Sequence, residues 1–210
     1  MFKNGFCKSC FYKNFYIGIY HPIRCTSHLN IENKNLIKEK KIELQDHIVY
    51  ISYTSNFKIG ITIKNNYLDR LMDQGAILSI ILAITPNRYI AGIIENISKK
   101  FLSDRTNYRK MLIINNIKTN NLLFIKNKLY NYIFKNFIIY SKYLNINNKI
   151  YKFKYPILKN IRKIILFNRK KNNIIFSKLI GIKGQYLIFS NKTVINIRNF
   201  IGYIIDIIIY

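Results

Sequence analysis

With 210 residues, half of them apolar, the chain is long enough for one sizeable core or two small ones and reads as a folded protein. Its 35 Lys and Arg against nine Asp and Glu give +26, beyond what solubility requires and suited to a polyanion such as nucleic acid, although A/T-rich codons also encode an excess of Lys, Asn, Ile, Tyr and Phe. No stretch reaches the roughly 18 apolar residues of a membrane helix, no apolar signal core opens the chain, and three cysteines cannot all pair. Membrane, secreted and disulfide-framework classes are therefore set aside in favour of a reducing cytoplasm.

In chain order, Cys7 and Cys10 are followed after fourteen residues by Cys25 and His28. Two short knuckles joined by a loop offer four ligands to one tetrahedral zinc ion, and this is the strongest motif on local chemistry alone. The alternative is three incidental cysteines and a surface histidine. His21, which precedes a proline, reads as a loop residue. From Asn30 to Gln45 lysines alternate with glutamates, as in a polar helix or linker. Residues 1–45 thus form a zinc-ribbon-like segment and linker.

His47 to Ala76 is the most informative stretch. Ile48 to Tyr53 and Phe57 to Ile63 are apolar and β-branched, and Thr54, Ser55 and Asn56 supply the turn of a hairpin. A helix capped by Asn65 or Asn66 then places Leu68, Leu71 and Met72 on one face and ends at Gly75. Ile77 to Ile84 has the length of a buried third strand. Thr85 and Pro86 read as a cap and first helical position for a helix to about Phe101, with Ile90, Ile94, Ile97 and Phe101 as its stripe and Glu95 off it, beside Arg88. Eight of the nine acids lie between Glu32 and Asp104, so the linker and this module keep their carboxylates while the rest of the chain is almost free of them.

Ser103 to Leu112 is rich in hydrogen-bond donors, with Arg105 and Arg109 able to contact phosphates; a capped turn built on Asn107 is the alternative. Thr119 to Tyr143 has a helical rhythm carried by Leu122, Leu129, Ile133 and Phe137, and closes a core of residues 46–148. Residues 149–210 change to short strands, at 151–155, 163–167, 174–180, 185–189, 194–197 and 203–209, which suggest a small sheet or partly open barrel bearing Lys183 among other cations. The fold class expected is α+β.

At the core residues just described the chain resembles the GIY-YIG nuclease superfamily. Val49, Tyr50 and Ile51 stand at its first signature, Lys58, Ile59 and Gly60 at its second, and Arg70 at its helix arginine. Residues 57–62, 69–70, 73–76, 85–89, 91–95, 106–112 and 181–189 also resemble a bacterial family of unknown function that pairs a zinc-ribbon segment with a GIY-YIG-like core. The superfamily resemblance implies a magnesium-dependent endonuclease. Glu95 would be the weak magnesium ligand, Arg70 the phosphate stabiliser, Tyr50 the residue that orients or deprotonates water, and Asn107 the residue that holds local geometry. Lys58, where the superfamily commonly has tyrosine, would be a phosphate contact, or a base if its pKa is strongly lowered. Such a fold requires Tyr50, Lys58, Arg70 and Glu95 to open onto one concave face. Lys58, Arg70, Arg88, Arg105, Arg109 and Lys183 are the candidate nucleic-acid contacts. The other reading is a catalytically silent, zinc-containing DNA- or RNA-binding module, and a third is a zinc-stabilised scaffold for another protein. No small-molecule cofactor is evident.

Overall fold

The computed structural model describes residues 7, 9–10, 43–103, 105–113, 119–159, 161–168 and 174–208. These fall into two compact units, one of residues 43–155 and one of residues 156–208 with the residues described at the N-terminus. The fold is mixed α+β, with a four-stranded antiparallel sheet and several helices in the first unit and a second small sheet in the other.

The first sheet begins as the apolar hairpin expected from its sequence. Strand β1 (His47–Tyr53) pairs antiparallel with β2 (Phe57–Ile63), and Tyr50 lies opposite Gly60. After a 3-10 turn at Lys64–Asn66 comes helix α1 (Tyr67–Asp73), then β3 (Leu78–Thr85), which pairs with the other edge of β1. The strand order is β2-β1-β3-β4. Alternate β1 residues point to opposite faces, and both faces are covered. Val49 and Ile51 meet Ile80, Leu82, Ala91, Ile94, Leu122, Leu129 and Ile133 on one side; Ile48 and Tyr50 meet Tyr67, Leu71 and Ala76 on the other. That double burial explains why β1 reads as a continuous apolar run rather than an alternating one.

Two details of helix placement differ from expectation. In α1 the stripe of Leu68, Leu71 and Met72 is not the buried one: Tyr67 and Leu71 are buried, and Leu68 and Met72 remain 46% and 44% exposed. The Tyr67 hydroxyl donates to Ser79 Oγ at 3.0 Å, and Ser79 Oγ donates to the Ile51 carbonyl at 2.9 Å, so a polar chain turns the helix by its first residue. Helix α2 (Arg88–Ser98) is capped by Asn87, whose side chain accepts from Ile90 N, rather than by Thr85, which ends β3. It stops before Phe101, a 39% exposed ring set edge-on to Tyr132 at 4.8 Å.

A short helix α3 (Tyr108–Ile113) precedes α4 (Thr119–Asn136), which buries Leu122, Lys126, Leu129 and Ile133. The Lys126 ammonium, in the middle of this stripe, donates to the Asn147 carbonyl at 2.6 Å and to Asn148 Oδ1 at 2.9 Å. The helical rhythm expected to reach Tyr143 breaks at Phe137, and a single turn α5 (Ile138–Ser141) follows. Strand β4 (Ile150–Lys152) then pairs with β3. It belongs to the first sheet, whereas its sequence places it with the C-terminal strands.

In the second unit β5 (Ile165–Leu166), β6 (Leu179–Lys183), β7 (Tyr186–Phe189) and β8 (Thr193–Asn196) form a sheet of order β5-β8-β7-β6. Among the described pairs β5 and β8 run parallel, and β6–β7 and β7–β8 antiparallel. The strand expected at 203–209 does not form over the described residues, where Ile204, Ile207 and Ile208 are exposed.

Candidate active site

Tyr50, on an inner strand of the first sheet, is the residue to which two of the other candidates, Arg70 and Glu95, are electrostatically linked. Gly60, directly across the strand pair, makes room for the Tyr50 ring: a Cβ there would stand 2.7 Å from the Tyr50 hydroxyl oxygen and 2.8 Å from Cζ. On its other side β1 shifts register against β3 between Val49 and Tyr50, a bulge of the kind that re-aims a side chain. The Tyr50 hydroxyl donates to Gln74 Oε1 at 3.1 Å, which ties it to the end of α1. Burial raises the Tyr50 pKa above its ordinary value of 10.0; Arg70 and the Gln74 hydrogen bond oppose the rise, and the Glu95 carboxylate adds to it. Tyr50 therefore holds its proton at neutral pH and acts as a hydrogen-bond donor. Arg70 from α1 and Glu95 from α2 are both within electrostatic reach of one phenol on β1.

The openness expected of this group is not what is seen. Arg70 is exposed, but Tyr50, Lys58 and Glu95 are only 1%, 6% and 7% exposed. The sheet supplies the reason: Tyr50 lies on its central strand, and Lys58 faces Ser52 across the pair on the same covered face. The Ser52 hydroxyl is buried and has no hydrogen-bond partner among the described residues. Glu95 Oε2 sits 3.6 Å from Lys99 Nζ one helical turn on, the pairing expected of a glutamate with a structural role, though Glu95 is buried rather than facing solvent.

Asn107 follows the capped-turn alternative. Its Oδ1 accepts from Lys110 N at 3.2 Å, and its own backbone N–H donates to Ser55 Oγ at 3.0 Å. Among the other cations, Arg105 is exposed. Arg109 donates through Nε to the Tyr108 hydroxyl at 3.1 Å and lies over that ring. Arg88, half-buried, acts electrostatically on His47, a strand histidine whose Nδ1–H donates to the Gln45 carbonyl at 2.7 Å. Lys183 is a correction. It is only 1% exposed, and burial pulls its pKa down to about 8, so it does not offer the open ammonium that a phosphate contact needs.

Of the four expected zinc ligands, Cys25 and His28 lie outside the described residues. Cys7 and Cys10 are exposed, and Cys10 N–H donates to Cys7 Sγ at 3.3 Å, which lowers the Cys7 pKa. A backbone amide aimed at the first sulfur of a C-x-x-C pair favours the thiolate that a metal requires. Among the described residues no three His, Cys, Asp or Glu side chains converge.

The family described as "Protein of unknown function (DUF2797)" matches residues 1–205. The chain belongs to that family. No curated protein and no solved structure matches it. The DUF2797 match spans the Cys/His segment, the four-stranded unit and all but the last residues of the second unit.

Gln74, Ser52 and Ser55 contact or face the candidate residues Tyr50, Lys58 and Asn107, and sequence reasoning did not assign them. Gln74 was legible only as a polar residue off the buried face of α1, and Ser55 only as turn chemistry. Their partners, Tyr50 and Asn107, are 24 and 52 residues away.

Proposed function

We propose that this protein binds nucleic acid through its first unit and hydrolyses phosphodiester bonds there with the help of a divalent ion. The supporting observation is that an arginine and a carboxylate, carried by two different helices, both act electrostatically on a buried tyrosine of the sheet. Arg70, the exposed member, receives the phosphate. A guanidinium offers planar, paired donors to phosphate oxygens and stays charged at any working pH. Tyr50, held by Gln74 on one side and accommodated by Gly60 on the other, orients the water or the scissile oxygen. A hydrated magnesium ion needs few protein ligands and takes the rest from water and phosphate. Glu95 supplies one carboxylate, provided it leaves Lys99 at 3.6 Å. When bound, the ion offsets the charge that develops on the phosphate.

The Lys99 contact and the burial of Lys58 favour a second reading. In it the same surface binds nucleic acid, and Glu95 stays in its ion pair and never cuts. In either reading Cys7, Cys10, Cys25 and His28 hold a structural zinc ion. Incubating the purified chain with labelled duplex and single strands, with and without magnesium, decides between the two. Magnesium-dependent cleavage that Glu95→Ala abolishes while binding survives supports the nuclease. Binding without cleavage under any divalent ion leaves the binding module.

A further inference from the structure

The segment that follows α2 is fastened to the outer edge of the first sheet and forms a depression there. Ile59 N–H donates to the Ser103 carbonyl at 3.2 Å, and Lys58 and Ser103 form a parallel bridge. Thr54 and Thr106 hydroxyls are 3.2 Å apart, and Asn107 N–H donates to Ser55 Oγ at 3.0 Å. The hairpin turn and the 103–107 segment are thus held together at several points. Between them lies a cavity of ≈ 390 Å³ lined by Ser55, Asn56, Ser103, Arg105, Thr106, Asn107 and Lys110.

That lining selects its ligand. Among the described residues that line it, two are cations, three carry hydroxyls and two carry amides. These groups suit a phosphate with its sugar better than a base, which would find no described ring to stack on. Among the described residues neither Arg105 nor Lys110 makes an ion pair, and both are exposed. Arg109, by contrast, is engaged by Tyr108. The cavity adjoins Ser103, and through it the strand that carries Lys58 and Gly60.

We infer that this depression is a second phosphate subsite, in which Arg105 and Lys110 hold a backbone phosphate of the bound strand. It rests on the nucleic-acid reading above and deepens it: contact is with the backbone, so recognition at this point is independent of base sequence. Each phosphate neutralised by a protein cation adds to the salt dependence of binding.

The test measures the affinity of the full chain for labelled single strands and duplexes across a range of salt. Arg105→Gln/Lys110→Gln is compared with the charge-matched Lys135→Gln/Lys152→Gln, two exposed lysines outside the cavity. The cavity variant should weaken binding about tenfold at about 50 mM salt and lower the slope of log affinity against log salt by about one to two, while the matched variant changes affinity less than about twofold. Asn56→Asp keeps an acceptor for the Ser55 hydroxyl but places a carboxylate in the lining, and should weaken binding in the same direction. Equal losses from both double variants would show that the charge acts diffusely, and an unchanged slope in the cavity variant would overturn the subsite while leaving binding itself in place. A wild-type chain that binds no nucleic acid at low salt takes down the wider reading and this one together.

Discussion

The tightest constraint at the scale of single residues is the packing of Tyr50 on Gly60. A methyl group at residue 60 would overlap the phenol, and the central strand leaves the ring nowhere to move. Gly60→Ala should therefore destabilise the first unit by about 1–3 kcal/mol, the usual cost of forcing extra volume into a packed interior. Chemical denaturation of the two proteins side by side measures it. Tyrosine ionisation makes a second expectation. Burial raises the pKa values of Tyr50, Tyr67 and Tyr155 above 10.0 in the folded state. The stability tied to these neutral phenols is complete below the unfolded value and is lost as pH rises past it. Circular dichroism against pH should show unfolding that sets in on the alkaline side of 10.0. Tyr67→Phe removes one ionising group, and the loss of its hydrogen bond to Ser79 costs about 1 kcal/mol. Its alkaline unfolding should be shallower than that of wild type.

Between elements, the informative joints are polar and join parts distant in sequence. Helix α1 ends at Gly75, whose φ of 69° suits glycine and whose missing side chain leaves space for Met111 of α3. Gly75→Ala would be strained twice, by its backbone and by the Met111 sulfur 2.5 Å from the new Cβ. It should lower the melting temperature of the chain, and a second substitution, Met111→Ala, should recover the steric part and not the backbone part. The α4 helix is joined to the loop before β4 by the buried Lys126, whose ammonium donates to the Asn147 carbonyl and the Asn148 side chain. Burial lowers its pKa.

For the molecule as a whole, +26 spread over 210 residues is the dominant physical property. If it serves a polyanion, affinity must fall steeply with salt, because counterion release supplies most of the binding free energy. Binding that is absent at about 50 mM salt, or indifferent to added salt, would show the charge to be a trace of base composition instead. The metal makes a separate whole-chain expectation: elemental analysis of the purified protein should find one zinc per chain, and Cys25→Ser should remove it. A protein without bound zinc whose stability is unchanged by chelators would sink that assignment.

What the sequence determined by itself is everything encoded within a short window. The β1–β2 hairpin, the glycine at the end of α1, the third strand and the helical rhythm through Leu122, Leu129 and Ile133 were legible because turn chemistry and apolar periodicity act over a few neighbouring residues. Tertiary structure alone decided that Tyr67 rather than Leu68 or Met72 faces the sheet, that Gln74 holds Tyr50, that Ile150–Lys152 joins β3, and that Lys183 is buried while Arg105 is not. Each of these depends on which distant segment arrives alongside, and no local pattern of apolar and charged residues carries that information. A lysine in a strand reads the same on either face until the sheet packs and one face loses its water.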